Sequence, residues 1–157
     1  MTKTILVVAA HTDDEALGCG GTIARHVAQG DSVYAVFLAD GVTSRPEASA
    51  VEVEERNAAA SKAYQILGIK HSYTLGFPDN RMDSVPLLDI VQKLENVLNE
   101  VKPQVIYTHH NGDLNVDHRI TRQAVLTACR PVPGASVKEI YAFEVLSATE
   151  WNTPGVA

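Results

Sequence analysis

Along the chain, uninterrupted apolar runs alternate with stretches whose apolar residues recur at helical spacing. Residues 4–10 (Thr-Ile-Leu-Val-Val-Ala-Ala) are apolar almost throughout, as expected of a strand covered on both faces of a parallel sheet. Residues 16–29 then carry Leu17, Gly20, Ala24 and Val27 at helical spacing, and Gly30 supplies the stop. The alternation continues with a strand over 32–38 and a helix over about 50–67, the latter with Ala60, Ala63, Tyr64 and Leu67 on one face and Gly68 at its end. A short strand over 72–75 leads into the loop Gly76-Phe77-Pro78-Asp79-Asn80. Ser84 and Pro86 open a helix with the stripe Leu87, Val91, Leu94, Leu98 and Val101, which Pro103 stops. A strand over 104–108, a helix over about 118–129 and, after Pro131 and Pro133, a strand over 139–145 complete the pattern. It predicts an α/β fold: a Rossmann-like parallel sheet of about five strands with helices on both faces and right-handed crossovers. In that order the first and fourth strands are neighbours at the switch point, where ligands bind beyond the carboxyl ends of strands. The loop after Ala10 should therefore lie beside the loop after Thr108.

Both loops are chemically unusual. The first is His11-Thr12-Asp13-Asp14-Glu15, the second runs from His109 to His118. Helix capping and the macrodipole account for acidic residues at a helix start, but they leave His11 unexplained. His11 and Asp14 on one turn, with a distant His118, supply two nitrogens and one oxygen. Three protein ligands and one open position are the pattern of a catalytic zinc site. Asp13, beside a ligand without being one, is placed to act as a base. With chemistry set aside, His118 is a helix-start residue following an Asp117 cap. His26 and His71 read as surface histidines. His109 and His110 sit at a strand end, where one can line the site without being a ligand. Asp113, Asn115 and Asp117 have the spacing that opens a calcium loop, but His118 stands at the required glycine and Ala124 at the closing glutamate. Gly18-Cys19-Gly20-Gly21 lies inside a helix and lacks a phosphate-loop lysine, so it reads as close helix–sheet packing. There is no Gly-x-Ser-x-Gly elbow, and Cys19 and Cys129 read as packed thiols.

Composition narrows this further. A length of 157 residues predicts a single domain, 1–157. A net charge of -6 without a basic cluster argues against nucleic acid as the main partner. Two cysteines form no disulfide framework and fit a reducing compartment. With no apolar run long enough to span a bilayer, a cytoplasmic location is expected.

At this point the residues resemble a known family. Ala10-His11-Thr12-Asp13-Asp14-Glu15 is similar to the Ala-His-Pro-Asp-Asp-Glu signature of the LmbE-like, PIG-L-type zinc-dependent N-deacetylases. Leu75-Gly76-Phe77-Pro78-Asp79-Asn80 and Asp113-Leu114-Asn115-Val116-Asp117-His118 match two further blocks in the expected order. The resemblance spans nearly the whole chain. It implies a Rossmann-like fold, a catalytic zinc (Fe2+ or another divalent ion being the alternative) and hydrolysis of an N-acetyl group on a small amino sugar or sugar conjugate. It assigns His11, Asp14 and His118 as metal ligands, Asp13 as the general base and Arg56 as a substrate contact; Asn115 and Asp117 join Asp13 as expected catalytic residues, and Asp79 and His110 join Arg56 as expected substrate-binding residues. Thr12 departs from the usual proline. Asn115 stands where many members have a histidine that stabilises the oxyanion or protonates the leaving group. An amide cannot give up a proton at neutral pH, so Asp13 or His110 must supply it. Members usually continue with a C-terminal segment beyond the point where this chain stops. That predicts a homo-oligomer with the region from Tyr141 to Trp151 at or near the interface. Two other functions fit the same residues: a two-His-one-carboxylate iron oxygenase, and a domain that binds metal or sugar without turnover.

Overall fold

The structure, a computed structural model, describes residues 2–39, 50–146, 148–151 and 153; in the helix that opens at Ala50, the side chains of 50, 52, 53, 56 and 57 lie outside the described set. Five strands, β1 (Thr4–Ala9), β2 (Ser32–Ala39), β3 (His71–Phe77), β4 (Val105–His109) and β5 (Glu139–Phe143), form one sheet in the order β3-β2-β1-β4-β5. Every pairing in it is parallel, as the sequence pattern predicts. Four helices connect them: α1 (Asp14–Ala28), α2 (Ala50–Leu67), α3 (Leu87–Val101) and α4 (Val116–Ala128).

The two faces of the sheet bury separate cores. On one, Ile5, Val7, Ala9, Val33 and Phe37 pack with Cys19 and Ile23 of α1 and with Tyr64 and Leu67 of α2. On the other, Leu6, Val8, Val36 and Leu38 pack with Ile90, Leu94 and Leu98 of α3 and with Ala124 and Val125 of α4. Alternate residues of β1 thus enter different cores, which is why the strand is apolar from Ile5 to Ala9. Each buried Ile, Leu, Val or Phe among them contributes about 1.5–3 kcal/mol. Gly18 lets α1 approach β5: a Cβ there would lie 2.2 Å from the Phe143 ring.

Several boundaries differ from the sequence expectation. Helix α1 starts at Asp14 rather than Ala16, because the Asp13 carbonyl already accepts from Ala16 N and Leu17 N. Helix α4 starts at Val116 rather than His118, and its cap is Asn115 rather than Asp117: Asn115 Oδ1 accepts from the backbone N–H groups of Asp117 and His118. Strand β3 is longer than 72–75, and β5 ends at Phe143 rather than Val145. His26 is not a plain surface histidine. Its Nδ1 lies 2.6 Å from Asp31 Oδ2 and its Nε2 2.9 Å from the Tyr107 hydroxyl, so it ties α1 to β4. Both cysteines are free, and burial pushes each thiol up to about 12. Tyr141 and Trp151, expected near a contact between copies, are 48% and 72% exposed. Among the described residues no helix is long and apolar enough to cross a membrane.

The sheet order determines where chemistry can happen. β1 and β4 are adjacent, with Leu6 opposite Ile106 and Val7 opposite Tyr107. Their carboxyl ends therefore deliver His11 and the loop leading to His118 to one place.

Candidate metal centre

Three side-chain atoms converge beyond β1 and β4. His11 Nδ1 lies 3.3 Å from Asp14 Oδ2, His118 Nε2 lies 3.2 Å from the same oxygen, and the two nitrogens are 3.3 Å apart. His11 and Asp14 come from the turn into α1, His118 from the first turn of α4. All three are largely buried, with side chains 14%, 5% and 4% exposed. Zinc ligands at about 2.0–2.2 Å in tetrahedral array stand about 3.3–3.6 Å from one another, so the triangle has the dimensions of a metal site.

The outer nitrogens of both rings meet carboxylates. His118 Nδ1 donates to Asp113 Oδ2 at 2.8 Å, and His11 Nε2 donates to Asp117 Oδ2 at 3.1 Å. This pairing leaves His118 Nε2 and His11 Nδ1 facing the triangle, the arrangement by which carboxylates orient metal-ligating histidines. Asp117 is completely buried and does more: Oδ1 accepts from Met82 N, and Oδ2 from Asn80 N. It therefore fastens the loop after β3 to the start of α4.

The charge balance points the same way. Burial alone would pull the His11 imidazolium down, but hydrogen bonds to Asp117 and Asp14 outweigh it and hold it at about 10. Burial likewise opposes the charge on His118, and Asp113 and Asp14 hold it up at about 9. Burial would raise Asp14, but its bonds to the same two histidines keep it far below the usual carboxylate range. Asp14, Asp113 and Asp117 thus favour positive charge at this spot, the charge that a divalent cation would bring. The residues fit the ion. Among the described residues, three overlapping groups of His and Asp could hold a metal: His11, Asp14 and His118; His109, Asp113 and His118; and His11, Asp79 and Asp117.

The PIG-L family profile, described as GlcNAc-PI de-N-acetylase, matches residues 6–129. The chain belongs to the PIG-L family. It is 34% identical over 142 residues to the uncharacterized deacetylase YaiS of Escherichia coli, covering 83% of this chain and 70% of that one. It is 28% identical over 157 residues to a probable N-acetyl-α-D-glucosaminyl L-malate deacetylase 2 of Bacillus cereus, covering 96% and 71%. Among solved structures, the conserved protein TT1542 of Thermus thermophilus superposes with a TM-score of 0.76 at 29% identity, over 91% of this chain and 66% of that one. This PIG-L chain is an N-deacetylase by its family, and the Bacillus cereus relative is named for an N-acetylated sugar conjugate.

The remaining expected site residues of this PIG-L chain have different surroundings. Asp13 is exposed beside the buried Asp14; its N–H donates to Glu15 Oε2. It borders a hollow of about 280 Å³ that Thr12, Glu15 and Ala16 share with Ala59, Ala60 and Ala63 of α2. Asp79, expected to contact substrate, is buried with Oδ1 3.1 Å from His11 Nε2. Asn115 is committed to capping through Oδ1, while Nδ2 donates to Asn80 Oδ1. His110 is half-buried, and its Nδ1 accepts from Gly112 N. The Arg56 side chain lies outside the described residues. Three buried groups have no role assigned from the sequence: Asp113, Glu15 and His109, the last noted only as one of two histidines that can line the site. Burial pushes the Glu15 carboxyl up to about 7 against its backbone hydrogen bonds. A signal for Asp113 does exist in the sequence, five residues before His118, but there its spacing points first to a calcium loop.

Proposed function

We propose that the chain hydrolyses the N-acetyl group of a small amino sugar or sugar conjugate, with one zinc ion held by His11, Asp14 and His118. The reading is carried by the 3.2–3.3 Å triangle of those three ligand atoms at the sheet switch point. When bound, the ion supplies Lewis acidity toward water and the amide carbonyl. The protein's own residues divide the rest. Asp13, exposed at the edge of the hollow, takes a proton from the attacking water and returns it to the departing nitrogen as the C–N bond breaks, releasing acetate and a free amine. Asn115 has a second Nδ2 proton beyond the one given to Asn80, available as a neutral donor toward the carbonyl oxygen. Asp113 and Asp117 act as positioning residues, each fixing one imidazole, and Asp79 supports His11 in the same way. The hollow lined by the three alanines of α2 offers room for the acetyl group or the adjoining sugar.

The test is acetate release from a panel of N-acetylglucosaminides by zinc-loaded protein, with free amine measured in parallel. Equimolar acetate and amine, lost in Asp13→Asn, are the expected result. Stoichiometric zinc with no acetate from any member of the panel would instead support metal or sugar binding without turnover.

A further inference from the structure

His109 is a buried titratable group that this reaction does not use. It ends β4 and is fully buried. Its Nε2 accepts the N–H of Ala10, the residue immediately before His11, at 2.9 Å. The same nitrogen lies 3.5 Å from Asp14 Oδ2. Its ring lies against that of His118, with centroids 3.9 Å and planes 16° apart. The Phe143 ring is tilted against it with centroids 4.8 Å apart. Because Nε2 accepts, the ring proton sits on Nδ1, and Nδ1 has no hydrogen-bond partner although buried. An unsatisfied buried donor is destabilising, and a phenylalanine of similar shape would avoid it. What phenylalanine lacks is an acceptor for Ala10 N.

We propose that His109 is a positioning residue for the metal centre, holding the backbone that precedes His11 and the plane of His118 so that their ligand nitrogens meet Asp14 at coordination spacing. The inference rests on the metal-dependent reading above. It touches each of the three ligand-bearing units by a different contact: a hydrogen bond before His11, a stack on His118 and a close approach to Asp14. His109 can also be grouped with Asp113 and His118 as ligands. The geometry disfavours that grouping, because His118 Nδ1 is engaged with Asp113 and His109 Nε2 with Ala10.

Two variants separate the contacts. His109→Phe keeps the stack and the bulk but offers Ala10 N no acceptor; His109→Asn offers an acceptor but no ring. Zinc affinity is measured by competition with a chromophoric chelator, the Co2+-substituted proteins are compared by visible absorption, and metal-free unfolding is followed in urea. Each variant is expected to bind one zinc at saturation with affinity about 10–100-fold weaker, as for other groups that orient ligands, and to show an altered Co2+ spectrum. Unchanged affinity and spectrum in both variants, whatever happens to their urea midpoints, would overturn the proposal, since a purely structural side chain gives that result. Loss of stoichiometric zinc from a folded variant would overturn it too, by making His109 a ligand. Wild-type protein that binds zinc but releases no acetate would contradict the functional reading and leave this one standing. Wild-type protein that binds no zinc would contradict both.

Discussion

Asp113→Asn changes one atom and should cost much of the metal affinity. Asp113 accepts three hydrogen bonds: from Asn115 N at Oδ1, and from His118 Nδ1 and the Thr149 hydroxyl at Oδ2. An asparagine has only one acceptor oxygen. If that oxygen stays with Asn115 N, the new NH2 faces His118 Nδ1, which must become an acceptor. The ring proton then moves to Nε2, pointing into the ligand triangle. If the amide turns over, the NH2 meets the Asn115 N–H instead, and the start of α4 is disturbed. A buried hydrogen bond to a charged group is worth about 1.5–3 kcal/mol, and Asp113 is completely buried. Loss of that bond corresponds to about 10–150-fold in zinc affinity. Chelator competition at pH 7.5 measures it, with urea unfolding of the metal-free variant as the control for folding. Zinc affinity within about twofold of wild type would refute the reasoning, because it would mean that the tautomer of His118 does not depend on Asp113.

Asp13→Asn should retain one zinc per chain while lowering the rate of acetate release by about 10²–10⁴-fold; loss of zinc would make Asp13 a ligand. The pH dependence follows from the raised histidines. In the metal-free protein the pairings of His11 at about 10 and His118 at about 9 add stability that is fully present below their unfolded value of 6.5 and is lost as pH rises through 9–10. Asp14, held low, adds stability that is lost only in acid, as pH falls below the ordinary carboxylate range. Urea midpoints from pH 6 to 10.5 should therefore fall at the alkaline end without zinc and hold with it. Adding zinc at pH 7 in weak buffer should release protons from the histidine pair; no proton release would contradict the assignment. Gly18→Ala places a methyl 2.2 Å from the Phe143 ring and should destabilise the fold by about 1–3 kcal/mol; a neutral effect in urea would show that α1 shifts freely over β5.

The sheet was legible because its strands are covered on both faces. Ile5, Val7 and Ala9 enter one core and Leu6 and Val8 the other, so the run carries no polar residue to confuse it with a half-exposed strand. The meeting of the His11 loop with the His118 loop followed from strand order alone. What stayed hidden depends on contacts between distant residues or on closely balanced local alternatives. Asn115 and Asp117 are both good caps two residues apart, and only the bonds from Asp117 N and His118 N to Asn115 show which one caps α4. With Asn115 as cap, Asp117 turns inward to Asn80, Met82 and His11. Asp79 stands in a loop that by composition should face solvent, yet it turns toward His11. His26 resembles a surface histidine until Tyr107, 81 residues away, is placed against it. His109 and His110 are neighbours in sequence, but the strand period sends them opposite ways: His109 follows Val105 and Tyr107 onto one face, whereas His110 leaves the strand.

The central claim is that one divalent ion sits among His11, Asp14 and His118. Anomalous scattering at the zinc edge from crystals grown with one equivalent of zinc tests it directly. A single peak per chain is expected, within about 2.0–2.2 Å of His11 Nδ1, Asp14 Oδ2 and His118 Nε2. A peak among His109, Asp113 and His118, or between His11, Asp79 and Asp117, or none at all, would contradict it.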